Sequence, residues 1–277
     1  MSNYFKLVNF ELTRFIKIYL VLMGITITSQ LIGMIVVSKK YLKEANRAIY
    51  EEGMSKASFI DQFGQFSIYD FGMSIWFIGP IALSIVVLLI YVFFIWYRDW
   101  FAKNTFIYRL LTLPTARLNV YLAKATSIFL MVLGLVALQI VLFPIESRMS
   151  KWMVPLDLRI DLSLHEFLEQ LYFLSVLIPE PTLKFILNYG VGFMFVFIVF
   201  TAVLFERSFK WKGIILGILY SVVAVTIYIL PGIVDVFILP NYFYQSEKFF
   251  LDLTAAVIVS GLSIWIGHLL LKYKITV

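Results

Sequence analysis

The sequence predicts an all-α polytopic membrane protein, and three observations carry that expectation. Hydrophobic residues make up 61% of the 277 and aromatic residues 18%, while only 14% are charged. Mean hydropathy is +0.91, well beyond that of a soluble domain. Six apolar runs are each long enough to cross roughly 30 Å of hydrocarbon as a helix, and they leave little chain for an independent globular body. Residues 1–277 therefore read as one transmembrane domain.

The N-terminal arm, residues 1–14, comes first. Phe5, Val8, Leu12 and Phe15 share one helical face while Lys6, Asn9, Thr13 and Lys17 lie elsewhere. That pattern predicts an amphipathic helix lying in the interface before the chain turns into its first span. An anchor and a docking surface for a soluble partner have the same periodicity. The first span, about 15–37, lacks an A-x-A-like end and reads as retained rather than cleaved. Lys39–Lys56 then alternates basic and acidic residues, a solvated helical extension of that span.

The second span covers about 73–97. After it, Asn104 or Thr105 caps a short helix whose Phe106, Ile107, Leu110 and Leu111 share a face, with Arg109 and Thr112 elsewhere, until Pro114 ends it. Pro114 or Thr115 starts the next helix, which passes through Arg117 and Lys124 into the third span, about 121–143. The result is a basic elbow suited to phospholipid head groups as well as to a protein partner.

Ser163-Leu-His-Glu166 is a capping-box pattern and predicts a helix from about Leu164 to Ile178, stopped by Pro179. Its charged first turn, Glu166 and Glu169, faces water, while Leu171–Ile178 dips into a leaflet without spanning it. Such a helix either lines an outer vestibule or fills space between spans. The last spans are about 185–205, 213–230 and 251–271. In the fifth, Gly213-x-x-x-Gly217 permits close helix packing, within the chain or across a dimer.

An even number of spans puts both termini on one side. The arm, the Arg98–Lys124 turn, the Arg207–Lys212 turn and the tail are rich in lysine and arginine, with only Glu11, Asp99 and Glu206 opposed. The positive-inside rule makes that side cytoplasmic and places Ser38–Gly72, Pro144–Lys184 and Pro231–Phe250 outside, in a cell membrane. Trp76, Trp96, Tyr97, Trp100, Tyr121, Trp211, Tyr242 and Tyr273 fall at predicted span ends, as interfacial anchors should.

Catalytic patterns are missing. The chain has no cysteine, hence no disulfide framework or thiolate metal chemistry. It has no G-x-x-x-x-G-K-[ST] phosphate loop, and His165 and His268 belong to no H-E-x-x-H or paired-acid set. A lone His268 on a helix reads as a satisfied bundle residue. Lys17, Lys124, Glu206 and Asp252 lie within a turn or two of predicted span ends, where snorkelling makes charges ordinary. No charge falls at a predicted bilayer midpoint, which argues against an ion-coupled secondary transporter. The chain reads as a non-enzyme with no cofactor or metal of its own and no nucleic-acid partner.

The turn Tyr108-Arg-Leu-Leu-Thr-Leu-Pro-Thr-Ala-Arg-Leu-Asn-Val-Tyr-Leu-Ala-Lys124, with the arm and six spans around it, resembles the permease subunits of bacterial ABC-2-type transporters. Their first cytoplasmic loop often reads Arg-Leu-Leu-x-Leu-Pro, then a small residue, Arg, several apolar residues and Lys. The resemblance implies that the turn is a coupling helix seated in a groove of an ATPase subunit, with the arm packed beside it. Carried over by position, it puts Arg109, Leu110, Leu113, Pro114 and Arg117 in or next to that contact. It further implies two ATPase subunits carrying ATP and Mg, a second permease subunit of the same or a homologous chain, surrounding membrane lipid, and export of an amphipathic or peptide-like substrate. The long outer segments depart from compact members of that family. They suit a competing function, a membrane-embedded sensor or scaffold whose outer loops bind a ligand without transport.

Overall fold

A computed structural model of the chain describes residues 2–101, 106–112, 115–180, 182–238, 240 and 242–275. Leu113 and Pro114 of the expected coupling contact, and the expected caps Asn104 and Thr105, lie outside the described residues.

Among the described residues, eleven α-helices and two very short strands follow one another: α1 (Ser2–Asn46), α2 (Lys56–Phe63), β1 (Phe66–Ser67), α3 (Ile68–Gly72), α4 (Ile75–Phe101), α5 (Phe106–Leu111), α6 (Arg117–Met153), β2 (Arg159–Ile160), α7 (Leu164–Gln170), α8 (Tyr172–Leu177), α9 (Thr182–Phe209), α10 (Trp211–Ile233) and α11 (Gln245–Leu269). Six of them, α1, α4, α6, α9, α10 and α11, are long and apolar enough to cross a membrane. Each predicted span falls on one of these six. The helices mostly overrun the apolar runs, by up to several turns, because the flanking polar residues continue the helical hydrogen bonding beyond hydrocarbon depth.

The arm differs from expectation. No turn separates it from the first span, and α1 continues unbroken for 45 residues. Neither glycine nor proline occurs before Gly24, so nothing in the backbone interrupts the helix there. One face of the arm is packed: Leu7, Val8 and Glu11 are buried.

Contacts divide the chain into two compact units. The first comprises Met1–Arg14, Leu88–Leu130 and Glu180–Val277; the second comprises Phe15–Val87 and Met131–Pro179. In the first unit, α9, α10 and α11 pack together around Met194, Ile198, Ala224, Ala256 and Val259. A single residue, Lys210, links α9 to α10, and it holds φ at +54°, a left-handed conformation unusual outside glycine. The reversal presses the two helices together. A Cβ at Gly213 would run into the backbone of Phe205 and Glu206, and one at Gly217 would come within 2.9 Å of Ala202 O. The Gly213-x-x-x-Gly217 pair thus serves packing within the chain.

The second unit joins α1, α4 and α6 segments to a small cap that the sequence did not reveal. The two long segments expected outside, Ser38–Gly72 and Pro144–Lys184, fold together. β1 pairs in parallel with β2, Phe66 opposite Arg159 and Ser67 opposite Ile160, and the Tyr41 hydroxyl lies 2.9 Å from Gly64 O and 3.1 Å from Leu158 O. Phe59, Phe66, Phe71, Phe77, Phe143 and Phe167 form its buried core, with edge-to-face contacts of Phe77 on Phe71 and Phe167. The capping box forms as the sequence predicts: Ser163 Oγ accepts from Glu166 N, and Glu166 Oε2 accepts from Ser163 N at 2.7 Å. The helix after it is split, however. Leu171 leaves helical geometry between α7 and α8, with its side chain and those of Phe167 and Leu174 in the aromatic core.

Candidate functional site

The most distinctive chemistry of the first unit is a chain of five charges drawn from three helices. Glu11 and Arg14 come from α1, Arg98 and Asp99 from the last turn of α4, and Lys124 from the second turn of α6. On α1, Glu11 follows Val8 by three residues and so shares the apolar face that turns inward. On α4, Asp99 lies one turn beyond the fully buried Ile95. On α6, Lys124 follows Val120 and Tyr121 on the buried side.

The charges alternate in sign. Arg98 Nη2 donates to Glu11 Oε2 at 2.8 Å, and Lys124 Nζ donates to Glu11 Oε1 at 2.7 Å. Lys124 also donates to Asp99 Oδ2 and, at 3.2 Å, to Ile95 O, which uses all three ammonium donors. Arg14 Nη1 closes the series on Asp99 Oδ1 at 2.7 Å. Lys124 also lies 5.3 Å from the centre of the Trp96 ring, within cation–π range. The three inner groups are almost fully enclosed, while Arg14 and Arg98 keep 23% and 18% of their side chains exposed. Charges so enclosed are tolerable only because each inner one meets opposite charges and hydrogen bonds on more than one side. Lys124 therefore does not snorkel to a span end; its ammonium stays inside the packing.

These residues carry neither a nucleophile nor a general acid–base pair in an open cleft, and among the described residues no group of three His, Asp or Glu side chains could hold a metal ion. The arrangement holds helices in register: it fixes the arm to the two helices that flank the elbow.

The elbow helix α5 is attached by its apolar face. Ile107, Leu110 and Leu111 are buried and Arg109 is exposed, which is the division the spacing predicts. Leu110 is thus committed to packing within the chain, and Arg109 is the expected contact residue on α5 that faces outward. Arg117 is also engaged. Its Nη1 donates to Leu271 O at 2.7 Å and Ile275 O at 2.9 Å, satisfying carbonyls of the wider helical turn Leu270–Lys274 that extends α11 and of the residue after it, where a cation suits the dipole. Of the arm residues, Val8 and Phe15 are buried, Leu12 is half-buried and Phe5 is exposed. Tyr4 adds a 2.7 Å hydroxyl contact to Thr126 Oγ1.

Two further polar features occupy this unit. Tyr121 OH lies 3.1 Å from both Phe197 O and Thr201 Oγ1, Thr201 donates to Ser263 O at 3.0 Å, and Tyr220 meets Ser263 Oγ at 2.5 Å. Next to Gly267, which packs on Tyr121, His268 has a buried Nδ1 without a hydrogen-bond partner among the described residues. Near the elbow, the Arg207 guanidinium lies 4.8 Å from the ring centres of Tyr97 and Phe101 and 5.7 Å from Trp100, and Tyr97 donates to Glu206.

By its place in the sequence Lys124 is expected near a span end, and Glu11 and Asp99 stand out only as the acids opposed to a basic side. A signal was present, since both are acids within otherwise basic segments and Glu11 lies on the arm's apolar face. The chain matches no family model, no curated protein and no solved structure.

Proposed function

We propose that this chain is a non-catalytic permease subunit of an ATP-driven export complex of the ABC-2 type, with its termini and elbow on the cytoplasmic side. In this reading partner ATPase subunits bind and hydrolyse ATP with Mg. A second permease subunit completes the path, and the exported substrate is amphipathic or peptide-like. The observation that carries the reading is the alternating series Arg98, Glu11, Lys124, Asp99, Arg14, which makes the arm and the two flanks of the elbow one mechanical piece. A partner moves the spans only if it binds one of their arrangements better than another. A load on the elbow would reach α1, α4 and α6 together through these contacts. Arg109, exposed on α5, is the side chain best placed to meet an acidic groove on that partner.

The test is affinity purification of the full chain from its native membrane. A soluble ATPase should co-purify, and the chain stripped of it should bind no nucleotide. Specific micromolar nucleotide binding to this polypeptide alone would overturn the assignment.

A sensor or scaffold is the second reading, favoured by the folding of both outer segments into one aromatic-cored cap. In that case the protein would purify without an ATPase, and deleting the cap would abolish its response while leaving partner recruitment intact.

A further inference from the structure

Four carboxyl side chains are buried among the described residues: Glu11, Asp99, Glu146 and Asp235. Three of them meet a cation. Glu11 pairs with Lys124 and Arg98, Asp99 with Lys124 and Arg14, and Asp235 with Lys248 at 2.6 Å. Glu146, on α6 in the second unit, is 1% exposed, has no ion pair among the described residues, and encloses an Oε1 without a hydrogen-bond partner.

The unit's other described charges are exposed or paired: Glu51 and Asp61 are exposed, Arg47 pairs with Glu52, His165 lies against Glu169, and Glu166 closes the capping box of α7. On α1, Lys17, Lys39, Lys40, Lys43 and Glu44 are exposed, as are Arg148 and Lys151 on α6 itself. The α4 stretch from Ile75 to Val87 carries no titratable side chain. In the cap, Lys56 pairs with Asp157, Asp161 with Arg159 and Lys151, and Asp70 closes the capping box of α3. An ionised carboxylate shut away from water with no counter-charge is far costlier than the neutral acid.

We propose that Glu146 is a proton-binding site, neutral in the packed unit and able to release its proton only in an arrangement that admits water to the carboxyl. The proton is then a ligand that favours one arrangement of this unit over another, and higher pH favours the hydrated one. The inference does not rest on the permease reading, whose proposed contacts belong to the first unit.

The test treats the intact protein at neutral pH with dicyclohexylcarbodiimide. The acid's O–H adds across one C=N bond to give an O-acylisourea, which rearranges within itself to a stable N-acylurea, so the product is the whole carboxyl plus one whole reagent. Peptide mass spectrometry should find this adduct at Glu146 ahead of the exposed Glu44 and Glu169. Infrared difference spectra should show a protonated-acid carbonyl band that Glu146→Gln, the neutral isostere, removes. Should packing deny the reagent access, the band decides. Its absence in wild type would overturn the proposal, and so would sodium-dependent protection of Glu146 from the reagent, which would make the site one for a metal cation.

Discussion

Lys124 Nζ donates a 2.7 Å hydrogen bond to Glu11 Oε1, joining residues 113 positions apart inside the first unit. The pair shares its ammonium with Asp99, so a change at Lys124 leaves two enclosed carboxylates short of a partner. Removing one member of a buried ionic set costs about 3–5 kcal/mol, because the charge left behind keeps its desolvation penalty. Lys124→Met should therefore lower the unfolding midpoint of the purified protein sharply. Lys6→Met, at an exposed arm position, should shift it by no more than about 0.5 kcal/mol equivalent. Equal midpoints for the two variants would mean that the network is not what holds the arm.

Close packing of α9 and α10 makes a prediction of opposite signs. Gly213→Ala places a methyl against backbone atoms of Phe205 and Glu206, which cannot swing aside as a flexible side chain would. Overpacking of this kind costs about 1–3 kcal/mol. At Gly24 a Cβ meets nothing within 4 Å, and Gly24→Ala should stabilise α1 by roughly 0.5–1 kcal/mol through backbone entropy. Unfolding curves in one detergent compare the two directly.

The cap carries a pH-dependent joint. The Ser163 backbone N–H, then the Ser163 hydroxyl, hold the Glu166 carboxyl below its ordinary value, which is about 4.3. Because the folded value is the lower one, the contribution is complete above the unfolded value and is lost as pH falls through the folded value. Between pH 7 and about 3, amide exchange at the start of α7, taken relative to the rate of an unprotected amide at each pH, should rise more steeply on acidification in wild type than in Glu166→Gln, which lacks the titrating group. Parallel profiles would show that the box does not anchor the helix.

How much could be read in advance follows from the range of each interaction. The six long helices rest on apolar runs, and the Ser163–Glu166 box on two residues three apart, so local sequence contains both. The Gly213–Gly217 spacing announced a close approach but not its partner, since α9 or another chain fits it equally. The cap and the charge series were hidden for one reason. Phe66 meets Arg159 across the ladder, and Glu11 meets Lys124, only after distant segments are brought together, and periodicity records which face a residue occupies but not what lies opposite. The split at Leu171 is a tertiary override, in which burial of that side chain in the aromatic core outweighs one more turn of helix.

Orientation is tested through the missing cysteines. Gln62 on α2 and Thr112 after α5 are both exposed, and the proposed topology puts them on opposite sides of the membrane. In intact cells an impermeant thiol reagent should label Gln62→Cys and leave Thr112→Cys untouched until the membrane is opened. The reverse pattern would invert the assignment and remove the elbow from any cytoplasmic ATPase.

The elbow itself yields the sharpest separation of packing from partner contact. Leu110 is buried, 5% exposed, so Leu110→Ala leaves a cavity and should cost about 2–5 kcal/mol of stability whatever the protein does. Loss of function in that variant would say nothing about coupling. Arg109 is exposed on the same turn, and Arg109→Glu should leave the unfolding midpoint within about 0.5 kcal/mol of wild type. If the exposed guanidinium meets carboxylates on an ATPase, reversing its charge turns attraction into repulsion and should weaken co-purification at least tenfold, which corresponds to about 1.4 kcal/mol. High salt should weaken the wild-type complex and narrow the difference between the two. An Arg109→Glu protein that retains its ATPase as firmly as wild type would leave the basic elbow to lipid head groups, and the permease reading would lose its proposed contact.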